Sequence, residues 1–197
     1  VIHGGTLLTV NPGFDIIPDG ILCIRNSAIA RITDRHACPI LPAAAAVVDA
    51  AGGIVMPGLV NTHTHLPMTL FRGLADDLPL MEWLTGTIFP AESAHISPET
   101  AFWGAQLACA EMILGGTTTC CDGYFHEDAV ARAVCESGMR AVLGQGVIDF
   151  PAPGVPDPAA NVAAAAAFVD AWQGAAAHIL PAVFCHSPYT CSAETLK

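Results

Sequence analysis

Cations are scarce in this sequence: Lys and Arg together number seven in 197 residues, against eighteen Asp and Glu, for a formal charge of −11. Phosphate backbones are held by clustered Lys and Arg, so the composition argues against nucleic acid as a partner. No run of about 18 consecutive apolar residues occurs, and the richest stretches, 43–48 and 162–169, are mostly alanine, which argues against a membrane span. The N-terminus has no basic segment leading into an apolar core, so nothing points to secretion. Cys-x-x-Cys pairs are missing too. Of the eight cysteines, Cys23, Cys109, Cys120, Cys121, Cys135 and Cys185 lie inside apolar segments and read as buried thiols in a reducing cytoplasm.

What is abundant is apolar: 53% of residues are hydrophobic and only 13% charged. Such a chain hides most of its surface, either as strands covered by helices on both faces or as surface meant to meet another polypeptide segment. Residues 1–56 read as a small, sandwich-like β unit. Its strands fall at 6–10, 21–24, 29–33 and 46–49, separated by turns at Asn11-Pro12-Gly13, Pro18-Asp19-Gly20 and Asn26-Ser27. From residue 57 onward an apolar run, a turn and a helix recur, the pattern of βα units on a parallel sheet. Strands at 59–62, 117–121, 141–148 and 179–185 alternate with helices at 80–89, 98–114, 127–137 and 158–172. Ser97 is placed as an N-cap with Pro98 at the first helical position, and Gly115-Gly116 marks the stop. Between them Phe102, Ala105, Cys109, Met112 and Ile113 form an apolar stripe at helical spacing. Residues 192–197 read as the start of a further helix.

Four βα units are half of an eightfold barrel, which takes about 250 residues by itself. The expected fold class is therefore α/β: a (β/α)8 TIM barrel represented by its first four units at 57–197, preceded by the small β unit. A half barrel leaves two unpaired sheet edges. Opening on Val1 and closing on Leu196-Lys197 within an unfinished helix, the chain reads as cut at both ends.

The segment with most chemistry is Asn61-Thr62-His63-Thr64-His65, which follows the apolar run 54–60. Residues i and i+2 of a strand share a face, so His63 and His65 can converge on one ion at the strand's C-terminal end, where barrel active sites form. Imidazole suits zinc or ferrous iron, and a catalytic site leaves a coordination position for water. By spacing alone the two could equally be turn histidines. Cys185-His186 with Cys191, and Cys120-Cys121-Asp122, match no structural zinc spacing and no nucleophile pattern.

The string Met56-Pro57-Gly58-Leu59-Val60-Asn61-Thr62-His63-Thr64-His65, followed by Met68-Thr69-Leu70-Phe71-Arg72-Gly73, resembles the opening strand of the amidohydrolase superfamily. The segments Ala75-Asp76-Asp77-Leu78-Pro79-Leu80-Met81-Glu82-Trp83-Leu84 and Ile88-Phe89-Pro90-Ala91-Glu92 are similar to the branch holding 5-methylthioadenosine/S-adenosylhomocysteine deaminases and triazine hydrolases. Later pieces agree: Gly116-Thr117-Thr118-Thr119, Gly138-Met139-Arg140-Ala141 and His186-Ser187-Pro188-Tyr189. The resemblance covers essentially the whole chain.

That resemblance implies a metal-dependent hydrolytic deaminase of a purine nucleoside, with one Zn2+ (alternatively Fe2+) per subunit. It implies His63 and His65 as metal ligands, Glu92 as the acceptor of ribose hydroxyls, Trp83 as a flat wall for the purine and His186 as a substrate contact near the metal. It also implies a homo-oligomer when full length. Some members carry, at the position of Gln145, an arginine that meets a substrate carboxylate. Gln145 cannot make that ion pair, which weakens S-adenosylhomocysteine as a substrate and leaves methylthioadenosine, adenosine or another aminated heterocycle. The remaining metal ligands, the proton-shuttling Glu and the metal-side Asp are expected beyond residue 197, so no catalytic residue lies in this chain and it should show no turnover by itself. The alternatives are a triazine, guanine or cytosine aminohydrolase, and a catalytically incomplete scaffold subunit.

Overall fold

A computed structural model describes every residue from Val1 to Lys197. The chain divides into two compact units, Val1–Gly58 and Leu59–Lys197.

In the first unit, β1 (Ile2–Leu8), β2 (Ile16–Arg25), β3 (Ala28–Asp34), β4 (Val48–Asp49) and β5 (Ile54–Val55) form one mixed sheet in the order β3-β2-β1-β4, with β5 also on β1. Asn26 and Ser27 both have positive φ and join β2 to β3 as a two-residue hairpin turn, whose twist matches that of the strands. Pro18-Asp19-Gly20, expected as a turn, lies inside β2. The register steps from Leu7↔Ile17 to Gly5↔Gly20, so the Pro-Asp pair is an irregularity that adds a residue opposite β1. The first strand also starts earlier than the expected 6–10 and ends at Leu8.

The second unit is built on a parallel sheet, β6 (Leu59–Thr64), β7 (Thr117–Tyr124), β8 (Arg140–Val147) and β9 (Ile179–Cys185), in sequence order. Strands β8 and β9 fall within one residue of expectation, whereas β6 and β7 run two and three residues further. Helices α3 (Pro98–Leu114), α4 (Glu127–Ser137) and α5 (Asn161–Trp172) cover one face. Their contacts make the core: Ala105 and Cys109 of α3, Val130 and Val134 of α4 and Phe168 of α5 meet Cys120, Leu143 and Ile179 of the sheet. Ser97 caps α3 with a reciprocal box, its hydroxyl accepting from the Thr100 amide while Thr100 accepts from the Ser97 amide. Of the stripe on α3, Ile113 is exposed, so the buried face is narrower than the apolar pattern suggested.

Strands β6 and β9 each have a neighbour on one side only. Leu59 and Val60 are exposed in consequence, which departs from the expectation of strands buried on both faces. Cys121 and Cys185 are exposed as well, on strands whose alternate residues face opposite sides, while Cys109, Cys120 and Cys191 are buried and all eight thiols are free. Residues 192–197 form hydrogen-bonded turns instead of a helix. One i→i−4 bond closes, from the Leu196 amide to the Ser192 carbonyl, and no second follows to propagate it. No helix of the chain is long and apolar enough to cross a membrane.

The helical segment after β6 is longer than the expected 80–89. It runs through α1 (Leu80–Trp83), a five-residue π stretch (Leu84–Ile88) and α2 (Phe89–His95). Pro90 lacks the N–H that would bond to the residue four before it, so α-type bonding cannot continue there.

Candidate metal and nucleoside site

The C-terminal ends of the parallel strands carry the candidate residues. His63 is the penultimate residue of β6 and is exposed; His65 follows the strand and is half-buried. Their rings lie edge to face with centres 5.1 Å apart. Two nitrogens each about 2.0–2.1 Å from one tetrahedral zinc put their ring centres roughly 5 Å apart, so this pair has the spacing of two ligands on one ion. His65 Nδ1 is 2.6 Å from the Gly123 carbonyl oxygen. A carbonyl only accepts, so Nδ1 carries the proton and Nε2 keeps its lone pair, the tautomer a metal ligand needs. Burial pulls the His65 pKa below the ordinary histidine value, with the neighbouring His63 adding to the fall and the Gly123 bond opposing it. No group of three or more metal-binding side chains is present, so the histidine pair stands without a third ligand.

His65 also lines a cavity of about 120 Å³, and so do Trp83, Glu92 and His186. Its volume is below the roughly 300–1,000 Å³ usual for ligand pockets. The structure thus brings together four of the five residues singled out in the sequence, with the fifth, His63, beside His65.

The π stretch matters here. Trp83 and Glu92 are nine residues apart, which at 3.6 residues per turn sets them on opposite faces of a regular α-helix. The intervening π turns advance less per residue, and both side chains reach the same cavity. Trp83 Nε1 donates to the Leu74 carbonyl at 3.1 Å, which leaves its ring as the surface offered to a ligand. Glu92 is buried, and its Oε1 accepts from the Tyr124 hydroxyl at 2.7 Å. Burial raises the Glu92 pKa against the opposing effect of Tyr124. Glu92 therefore has one oxygen already engaged and the other left as the acceptor.

His186 follows β9; its Nδ1 is 2.7 Å from Thr190 Oγ1 and its ring centre 6.2 Å from that of His65. Burial lowers its pKa, and His65 and His63 add to the fall. Gln145 does not line the cavity; its Oε1 accepts the Glu127 amide at the start of α4.

Sequence reasoning missed Tyr124 and Phe184. Phe184 packs 6.0 Å from His65 and 5.8 Å from His186, centre to centre. It fits because Gly123 and Gly144 are paired across β7 and β8; a Cβ on either would stand within 2.6 Å of Phe184. The glycines were the available signal, marking a close approach without saying of what. Cys120, set aside as a nucleophile in the sequence, has its thiol pushed up to about 12 by burial and the adjacent Asp122 charge.

Comparison with known proteins identifies the family and the fold. Residues 54–197 match the amidohydrolase family. The whole chain is 43% identical to the 5-methylthioadenosine/S-adenosylhomocysteine deaminase 1 of Syntrophus aciditrophicus, covering 44% of that protein. Over 77% of the chain, identity to the 5′-deoxyadenosine deaminase of Methanocaldococcus jannaschii is 48%, covering 36% of it. Among solved structures, a zinc-bound adenosine deaminase from Xanthomonas campestris superimposes with a TM-score of 0.92 at 37% identity, over 98% of this chain and 44% of that one. The atrazine chlorohydrolase of Arthrobacter aurescens shares the fold at a TM-score of 0.82 and 17% identity, over 98% of this chain and 48% of its own. The chain spans a little under half the length of the curated relatives that it matches in full. Its parallel sheet is accordingly part of an amidohydrolase barrel, and the chain belongs to the amidohydrolase family.

Proposed function

We propose that this chain is the metal- and nucleoside-binding part of a hydrolytic deaminase acting on a purine nucleoside such as 5-methylthioadenosine. The observation that carries the reading is the convergence of His65, Trp83, Glu92 and His186 on one cavity, with His63 at ligand-sharing distance from His65. His63 and His65 hold a zinc ion, the metal named for the Xanthomonas relative, with ferrous iron as the alternative. When bound, the metal supplies the Lewis acidity that makes water nucleophilic near neutral pH.

The chain's own residues do the rest of the binding. The Gly123 carbonyl fixes the His65 ring, and Glu92, steadied by Tyr124, turns its free oxygen to the sugar hydroxyls. Trp83 and Phe184 offer flat apolar surface to the base. His186, tied through Nδ1 to Thr190, keeps Nε2 for a hydrogen bond to the reacting ring. Gln145, spent on the start of α4, offers no cation to a substrate carboxylate, which favours the methylthio nucleoside over S-adenosylhomocysteine. Eight free thiols fit a cytoplasmic setting, and a homo-oligomer of longer subunits belongs to the same proposal.

Zinc-loaded chain should bind 5-methylthioadenosine with a change in tryptophan fluorescence that is lost in Trp83→Leu, and should release no ammonia from it. Ordinary enzymatic turnover by these 197 residues would overturn the assignment of proton transfer to residues outside them.

A further inference from the structure

Beneath the histidine pair lie two carboxyl groups that the proposed function does not use. Asp122 of β7 and Glu127 of α4 are 3% and 0% exposed. The only salt bridge of the chain, Arg72 with Glu111, is elsewhere, so no cation neutralises either. Their titratable neighbours are Asp128 of α4, Cys109 of α3, and Cys120 and Tyr124 of β7, all acids. Asp122 Oδ1 accepts the Leu66 amide at 2.7 Å and lies 2.7 Å from the Thr64 hydroxyl, which is also 2.9 Å from the Cys121 carbonyl. Asp122 Oδ2 and both oxygens of Glu127 meet no N–H or hydroxyl donor. The two carboxyl groups lie close enough to act on each other, the Asp122 charge adding to burial in raising the Glu127 pKa.

Two buried carboxylates in contact cannot both be ionised. Asp122 accepts from the Leu66 amide and the Thr64 hydroxyl, both of which favour its charged form, whereas Glu127 has only the weaker pull of the Tyr124 backbone amide, which makes no full hydrogen bond to it. The proton therefore belongs on Glu127, where it is donated to Asp122 Oδ2. Burial raises both pKa values, in keeping with one retained proton.

We infer that Asp122 and Glu127 share one proton and act as positioning residues for the metal-binding turn. Asp122 grips the residues on either side of His65, Thr64 and Leu66, and Glu127 supplies the donor that keeps Asp122 facing them. The β7 residue next to Asp122, Gly123, holds the His65 ring itself, so three consecutive residues of β6 and its turn are fastened to two consecutive residues of β7. The link to metal rests on the proposed role of His63 and His65; the shared proton and the grip on Leu66 do not.

Three measurements on the full chain at neutral pH test this. Infrared spectra of protein carrying isotope-labelled glutamate should show the carbonyl stretch of a protonated, buried carboxylic acid, absent in Glu127→Gln. Amide exchange at Leu66 should be slow in the wild type and in Glu127→Gln, whose side-chain amide still donates to Asp122, and at least tenfold faster in Glu127→Met, which cannot donate. Zinc affinity should stay within about twofold in Glu127→Gln and fall about 10- to 100-fold in Glu127→Met, the usual effect of losing support behind a ligand. No protonated-glutamate band in the wild type, or equal losses of Leu66 protection in the two variants, overturns the inference. If wild-type chain binds no zinc while the band and the exchange pattern appear, the metal reading has failed and the carboxyl pair stands.

Discussion

The two ends of the cavity respond to burial in opposite ways. At the β6 end are imidazoles, and burial lowers the pKa of His65 and His186; at the α2 end is a carboxyl, and burial raises that of Glu92. The cause is the same, since low polarizability penalises whichever form is charged. The chemical result differs. A neutral imidazole gains a lone pair for a cation, whereas a carboxyl pushed toward its neutral form is a weaker acceptor and depends on partners such as Tyr124 to stay useful. The end prepared in advance is the histidine end, where the Gly123 carbonyl selects the tautomer before any ligand arrives.

The sharpest way to break this contrast is to remove the prepared ring. His65→Ala should weaken zinc binding by at least about 100-fold, more than loss of a supporting group, measured by competition with a chromophoric chelator. Retention of wild-type affinity would move the metal away from β6.

Gly123 stands between the two ends. Gly123→Ala would put a Cβ 2.4 Å from the Phe184 ring, forcing that ring off the His65 and His186 faces. A loss of about 1–3 kcal/mol is expected, read as a lower urea midpoint at unchanged slope. An unaltered midpoint would mean that Phe184 is not tightly seated.

The smallest effect concerns pH. The folded Glu92 pKa lies above its ordinary value of 4.5, so its contribution to stability is complete below that pH and is lost as pH rises through the raised value. Glu92→Gln lacks this loss. Wild type should therefore lose urea resistance relative to the variant as pH is raised from 4.5 toward 7. His65 and His186 act the other way, withdrawing stability as pH falls below 6.5, but they do so in both proteins and cancel from the difference. Parallel curves for the two proteins would show Glu92 to be ordinarily solvated.

Alternation of apolar runs with capped helices was enough to read the parallel sheet and its helices. Strand β9 and helices α3 and α4 fall on the expected residues, because Ser97-Pro98, Gly115 and Gly138 are local signals that act within a turn of chain. The His63 and His65 pair was legible for the same reason, since a spacing of two in a strand is itself a geometric statement. Local pattern was silent about whatever depends on distant neighbours. Tyr124 reaches Glu92, 32 positions earlier in the sequence, and Asp122 grips a turn 56 positions earlier. The π stretch that turns Trp83 and Glu92 to one side leaves only Pro90 as its trace in the sequence. Residue order by itself determined which segments become strands and helices and which imidazoles can share an ion. Burial, the tautomer of His65, the partner of Glu92 and the pairing of Asp122 with Glu127 were decided by tertiary structure, because desolvation and buried hydrogen bonds exist only after separate βα units have packed.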